Sequence, residues 1–250
     1  MMVAPHAKYI AAVVPIVLFV ATFVRSTLGF GEALVSVPIL ALLVPLKIAT
    51  PLAVLASITV AVIVVAQDWK HVHVRSAGWL VISSVLGIPL GLWLLKDAPD
   101  AVVKALLAVL ILVFSIYSLR RQPQYELKDD RLAWMFGLSA GILGGAYGMN
   151  GPPLVVYGAL RRWSPVHFRA TLQGYFLFAS ALIMFGYLNA GLWTHRVSRY
   201  YLYSLPGVVV AVLLGRAANR RLSGRRFYRF VFCGLMLIGV VLLGEALKER

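Results

Sequence analysis

The sequence predicts an all-α integral membrane protein built as two inverted-topology repeats, each a broken-helix hairpin followed by three transmembrane helices. Three observations carry that expectation: long charge-free apolar intervals, two glycine-rich breaks at matching places, and an uneven distribution of lysine and arginine. Hydrophobic residues fill 61% of the 250 positions, charged residues 13%, and the mean hydropathy is +0.86. Soluble domains are about 45–50% apolar, so a water-soluble fold of this length has no interior for the excess.

The intervals fall in order along the chain. A membrane helix needs roughly 20 predominantly apolar residues. Runs without Asp, Glu, Lys or Arg cover residues 9–24, 33–46, 48–67, 76–95 and 105–119, then 132–160, 170–195, 200–215 and 230–244. The chain therefore divides into a first membrane repeat at 1–119, a cytoplasmic linker at 120–131 and a second membrane repeat at 132–250. The first apolar stretch, preceded by Lys8 alone, reads as a retained membrane segment. Cys233 is the single cysteine and lies inside an apolar run, so the chain offers no internal disulfide or cysteine-based metal site. It reads as a small buried hydrophobe.

Two intervals are interrupted alike. Gly29-Phe30-Gly31-Glu32-Ala33-Leu34 separates a long helix from one too short to span, and Gly144-Gly145-Ala146-Tyr147-Gly148-Met149-Asn150-Gly151-Pro152-Pro153 splits 132–160 into two short helices. Laying one half on the other pairs Gly29 with Gly148, Ala49-Thr50 with Ala170-Thr171, and Gly87 with Gly207, at offsets of 119, 121 and 120. The matched order of hairpin and three helices reads as an internal repeat. An odd number of crossings per half then inverts one repeat against the other.

Basic residues orient it. The linker shares one side with the loops at 67–75, 161–169 and 216–229, which together hold 15 Lys and Arg; the other side holds 8, and Arg25 lies inside an apolar run. The excess places the first side in the cytoplasm and both termini outside. The formal net charge of +15 is thus topological, and the cluster at 216–229 suits an anionic leaflet rather than nucleic acid.

Unwound backbone within a bilayer is tolerated where it is buried in protein or lines a watery cavity. Two such breaks in equivalent places point to a site. Gly29, Gly31, Gly148 and Gly151 let the chain turn sharply and let a solute reach the main chain, while Pro152 suits the first turn of a new helix. Free N–H groups and the positive dipole end there favour an anion.

The order of these motifs resembles the TauE/SafE family of sulfite and organosulfonate transporters. The residues that carry the resemblance are Gly29-Phe30-Gly31 with Val37-Pro38, Ala49-Thr50-Pro51, Gly87 with Gly91, Gly144-Gly145 through Gly148-Met149-Asn150-Gly151-Pro152-Pro153, and Arg169-Ala170-Thr171. It covers nearly the whole chain, and Glu32 departs from it, standing where the family usually has a small residue. The resemblance implies a cell-membrane secondary transporter, an exporter, of a small sulfur-containing anion, without a cofactor. A permease for an unrelated anion or carboxylate, with or without proton coupling, is the alternative.

Charged and polar groups at membrane depth are expensive unless paired or functional. Arg25 and Glu32 flank the first tip; Arg25 either supplies the positive charge for the anion or pairs with Glu32 to clasp the hairpin. Asn150 offers a donor and an acceptor at the second tip. Thr50, Thr171, Gln173 and Tyr175, at the start of the long helix after each hairpin, are candidates to complete an oxyanion shell. His71, His73, His167 and His195 read as interfacial, with no metal-site spacing. No nucleophile and base pair or carboxylate pair at membrane depth suggests an enzyme. With the cell interior negative, moving one negative charge outward gains about 2.3 kcal/mol per 100 mV, which favours export. The expected partners are the anion and the lipid bilayer, and the oligomeric state is open, a homodimer included.

Overall fold

The computed structural model describes residues 4–68, 74–119, 126–221 and 225–248. The loops at 67–75 and 216–229 and the linker at 120–131 lie partly outside the described residues, and His71 and His73 lie outside them altogether.

In chain order the helices are α1 (Ala4–Leu28), α2 (Glu32–Ala41), α3 (Leu46–Asp68), α4 (Val74–Asp97) and α5 (Asp100–Leu119), then α6 (Ala133–Tyr147), α7 (Gly151–Leu160), α8 (Pro165–Asn189), α9 (His195–Arg221) and α10 (Arg225–Lys248). Seven of them, α1, α3, α4, α5, α8, α9 and α10, are long and apolar enough to cross a membrane. Helices satisfy their own backbone, which is why lipid selects them. With ten residues each, α2 and α7 reach about 15 Å at 1.5 Å per residue, half of a hydrocarbon core of about 30 Å. The interrupted intervals therefore fold as the sequence predicts, with breaks at Gly29–Gly31 and Gly148–Asn150.

Burial sorts the helices into centre and rim. In α3 and α8, 61% of the apolar span is buried, against 28% in α9 and α10. Outward side chains such as Leu86, Phe230 and Leu237 stay exposed, as a lipid-facing surface requires. Cys233 belongs to that surface. It is exposed on α10, contrary to the buried reading, because α10 presents a broad outer face.

The closest helix pairs are α4 with α6 and α1 with α9, followed by α5 with α10 and α3 with α8. Matching α1–α5 in order with α6–α10 exchanges the first two pairs and maps each of the others onto itself. The α4–α6 seam brings main chain against main chain: a Cβ at Gly91 would fall on the Ile142 carbonyl oxygen, and one at Gly141 on that of Ser84. Only glycine permits this approach. At the linker end, Leu127 N–H donates to Leu160 O at 2.9 Å, Arg161 pairs with Asp130 at 3.3 Å, and Tyr157 donates to the same carboxylate. These bonds fix the far end of α7, so its free end is the one at the break.

Candidate functional site

Each break is set by glycine in the left-handed region. Gly29 and Gly31 have φ of 90° and 101°, a conformation that costs other residues about 1–2 kcal/mol. Gly148, at φ 65°, ends α6 and lets its N–H reach Gly144 O at 2.8 Å while Met149 N–H reaches Leu143 O at 3.1 Å. Tyr187 on α8 donates to the Gly144 and Gly145 carbonyls at 3.1 and 2.8 Å. Neither α2 nor α7 has a side-chain cap at its N-terminus. The first turn of α2 keeps its N–H groups available, whereas in α7 Pro152 and Pro153 carry none and Gly151 supplies the N–H.

The two tips meet in one cavity. Its wall takes Gly31, Glu32, Ala33 and Leu34 from the first break, Gly148 through Pro152 from the second, and Arg25, Ser57 and Phe176 from α1, α3 and α8. The void is small, about 20 Å³, where one water needs roughly 10–15 Å³. Among the wall residues, Arg25 and Glu32 alone carry charge.

Arg25 is 2% exposed and held on three sides. Its Nη1 donates to Glu32 Oε2 at 2.7 Å and to Ser57 Oγ at 2.6 Å, and its Nη2 donates to Gln173 Oε1 at 2.8 Å. The Cζ atom lies 4.8 Å from the ring centroid of Phe176, a cation–π contact. Thr22 Oγ1 donates to the other Glu32 oxygen at 2.6 Å. A guanidinium has five N–H donors, and its Nε–H, buried, meets no acceptor. Asn150 Nδ2, in a side chain buried across the same cavity, is likewise unpartnered. Both residues with a stranded donor therefore line one void.

Of the other sequence candidates, Gln173 takes part through its contacts, accepting from Arg25 and donating from Nε2 to Gly29 O at 2.9 Å. Thr50 does not reach the cavity. Its hydroxyl donates to Leu46 O at 2.7 Å, within its own helix, as threonine commonly does there. Tyr175 is bonded to Ser84 at 2.6 Å, away from the wall, and Thr171 is buried in α8 outside it. Sequence reasoning missed Thr22, Ser57, Phe176 and the Met149 wall. Helical spacing held a signal for them: Ser57 is two turns from Thr50, Phe176 three residues from Gln173, and Thr22 three before Arg25.

The family model described as "Sulfite exporter TauE/SafE" matches residues 14–242. The chain belongs to that family. One relative in it, named "Probable sulfite/organosulfonate exporter TauE" and from Cupriavidus necator, is 27% identical over 235 residues, covering 91% of each chain. No solved structure matches the chain. The family match covers both breaks and reaches into all seven spanning helices, so the cavity and its wall belong to the portion shared with TauE/SafE proteins.

Proposed function

We propose that the cavity between the two tips is an anion transport site, and that the chain exports a small sulfur oxyanion or short organosulfonate across the cytoplasmic membrane. The observation that carries this reading is the pair of buried donors without acceptors, Arg25 Nε–H and Asn150 Nδ2–H, on two residues that line one void beside two helix N-termini without side-chain caps. A buried donor left unsatisfied costs about 1–3 kcal/mol, and an anion oxygen relieves it. The family supports sulfur over other anions, as does the name of the Cupriavidus necator relative.

On this reading residues 1–119 and 132–250 are inverted repeats joined by a cytoplasmic linker at 120–131, with both termini outside. The exchange of the α4–α6 and α1–α9 pairs supports the repeat, and the basic excess supports the orientation. Arg25, Glu32, Asn150, Gly31, Gly148, Gly151 and Pro152 form the wall, and Gln173 holds Arg25 and the Gly29 carbonyl in place. The void, about 20 Å³, has room for about one water, so loading an anion requires the tips to part.

The test is thermal stabilisation of purified protein by sulfite, thiosulfate, sulfoacetate and taurine, with acetate and succinate as comparators. A ligand at 100 times its Kd adds about 2.7 kcal/mol of stability. Stabilisation by the sulfur anions alone is expected; equal stabilisation by the carboxylates, or none at all, overturns the assignment.

A further inference from the structure

The anion site as built is already neutral. Arg25 contributes one positive charge and Glu32 one negative charge, with side chains 2% and 1% exposed and their atoms 2.7 Å apart. The groups that face Glu32 from the surrounding elements are Thr22 and Arg25 on α1, Ser57 on α3, Gln173 and Phe176 on α8, and Asn150 at the second break. Where α2 packs against α5 and α10, the neighbours near the break are aromatic: Phe30 meets Phe114 at 6.4 Å, and Phe114 meets Phe232. The ionisable residues Lys47 and Asp68 on α3, Lys104 on α5 and Glu245 on α10 stand within five residues of a helix end, as do the arginines that open α10. The repeat supplies no second cation, because the positions in the second half that match Arg25 and Glu32 are Gly144 and Gly151.

An arriving anion thus meets a site with no spare charge. Three charges, two of them negative, leave a buried site with an uncompensated negative charge, which is strongly unfavourable. We propose that each anion enters together with one proton, which is taken up by Glu32, so that the carrier moves anion and proton as a neutral pair. This rests on the anion-site reading and deepens it. The geometry accommodates the exchange. Glu32 Oε2 gains the proton as it gives up the Arg25 Nη1–H bond, Oε1 keeps the Thr22 hydrogen bond, and the guanidinium charge, no longer balanced by Glu32, is left for an anion at Nε–H. Release of the anion returns the proton to water and the carboxylate to Arg25. No bond other than O–H changes, and the net flow is one anion with one proton.

Such a carrier is insensitive to membrane potential, so the electrical gain for outward movement does not apply to it, and it exports when the outward anion gradient exceeds the inward proton gradient. Linkage also makes anion affinity depend on pH, up to tenfold weaker per pH unit above the titration of Glu32. The probe is methanesulfonate, whose charge is fixed across the neutral range, in proteoliposomes loaded with a pH-sensitive dye. An inward methanesulfonate gradient is expected to acidify the lumen at a rate unchanged by a potassium–valinomycin potential. Glu32→Gln is expected to bind methanesulfonate equally at pH 6 and pH 8 and to lose the acidification. Wild-type methanesulfonate flux that proceeds without acidification and follows the imposed potential overturns the proposal, as does undiminished acidification by Glu32→Gln. If that variant does not fold, the wild-type flux decides alone. If methanesulfonate neither binds nor moves at any pH, while sulfite still binds, the site takes another anion class and the neutral-pair mechanism is rejected for sulfonates; if no sulfur anion binds, the site assignment itself fails first.

Discussion

Gln173 on α8 accepts a hydrogen bond from Arg25 on α1 at 2.8 Å, across 148 residues of sequence. The same side chain donates to Gly29 O at 2.9 Å, so one amide holds both the cation of the cavity and the main chain that turns beside it. Both of its ends are committed, which fixes its orientation and that of the guanidinium. A residue of the second half thereby positions the charge supplied by the first.

Replacing Gln173 with Leu leaves Gly29 O and one guanidinium N–H without partners. A loss of about 1–3 kcal/mol in stability is expected, together with a fall in sulfite affinity on the order of tenfold, equivalent to about 1.4 kcal/mol. Thermal unfolding and a binding titration check the two separately. Unchanged affinity in the folded variant removes Gln173 from the positioning of Arg25.

Tyr175 makes the contrasting case. Its hydroxyl serves the α8–α4 contact through Ser84, not the cavity. Tyr175→Phe is expected to cost about 1 kcal/mol of stability, the usual net worth of a hydrogen bond, and to leave sulfite affinity at the wild-type value. A large affinity loss without a stability loss places Tyr175 in the binding shell after all.

The two tip glycines differ in what a side chain meets. At Gly31 nothing lies within 4 Å of an added Cβ, so Gly31→Ala carries conformational strain alone, about 1–2 kcal/mol. At Gly148 the Cβ also lies 2.9 Å from Val54 Cγ2, and Gly148→Ala should be the more destabilising of the pair. Gly78→Ala, in open space on α4, serves as the helix control and should be neutral or stabilising by up to about 1 kcal/mol. Melting temperatures in one detergent order the three.

The breaks were legible in the sequence because clustered glycines and polar or charged residues at membrane depth are rare features that stand out against apolar helix. Gly31, Gly148, Arg25 and Asn150 could be picked out one by one for that reason. The convergence of the two tips could be inferred only through the repeat, since Arg25 and Gln173 share no local pattern. Where Thr50 and Tyr175 turn was not legible for the opposite reason: polar residues are also used to bond helices to themselves and to each other, and the sequence does not say which way a hydroxyl turns. Ser57 was legible only through its spacing, two turns from Thr50 on the same helix, and its bond to Arg25 across the interface was not legible at all.

The Arg25–Glu32 pair admits a test that separates holding the hairpin from holding the anion. Removing one member of a buried ion pair costs about 3–5 kcal/mol, because the other charge is stranded. Arg25→Met and Glu32→Gln should each show a loss of that order, and the double variant should recover most of it. If the pair only clasps α1 to α2, the double variant also regains sulfite binding. The two unpartnered donors argue otherwise, since Arg25→Met deletes one of them and leaves Asn150 alone. The expected result is a double variant that melts near the wild-type temperature and binds sulfite at least 100-fold more weakly, equivalent to about 2.7 kcal/mol. Glu32→Gln alone should show the converse: its stranded guanidinium makes the free protein unstable, and sulfite, by supplying the missing negative charge, should raise its melting temperature more than it raises that of the wild type. Wild-type affinity in the double variant would leave the helix N-termini and Asn150 as the anion's only ligands.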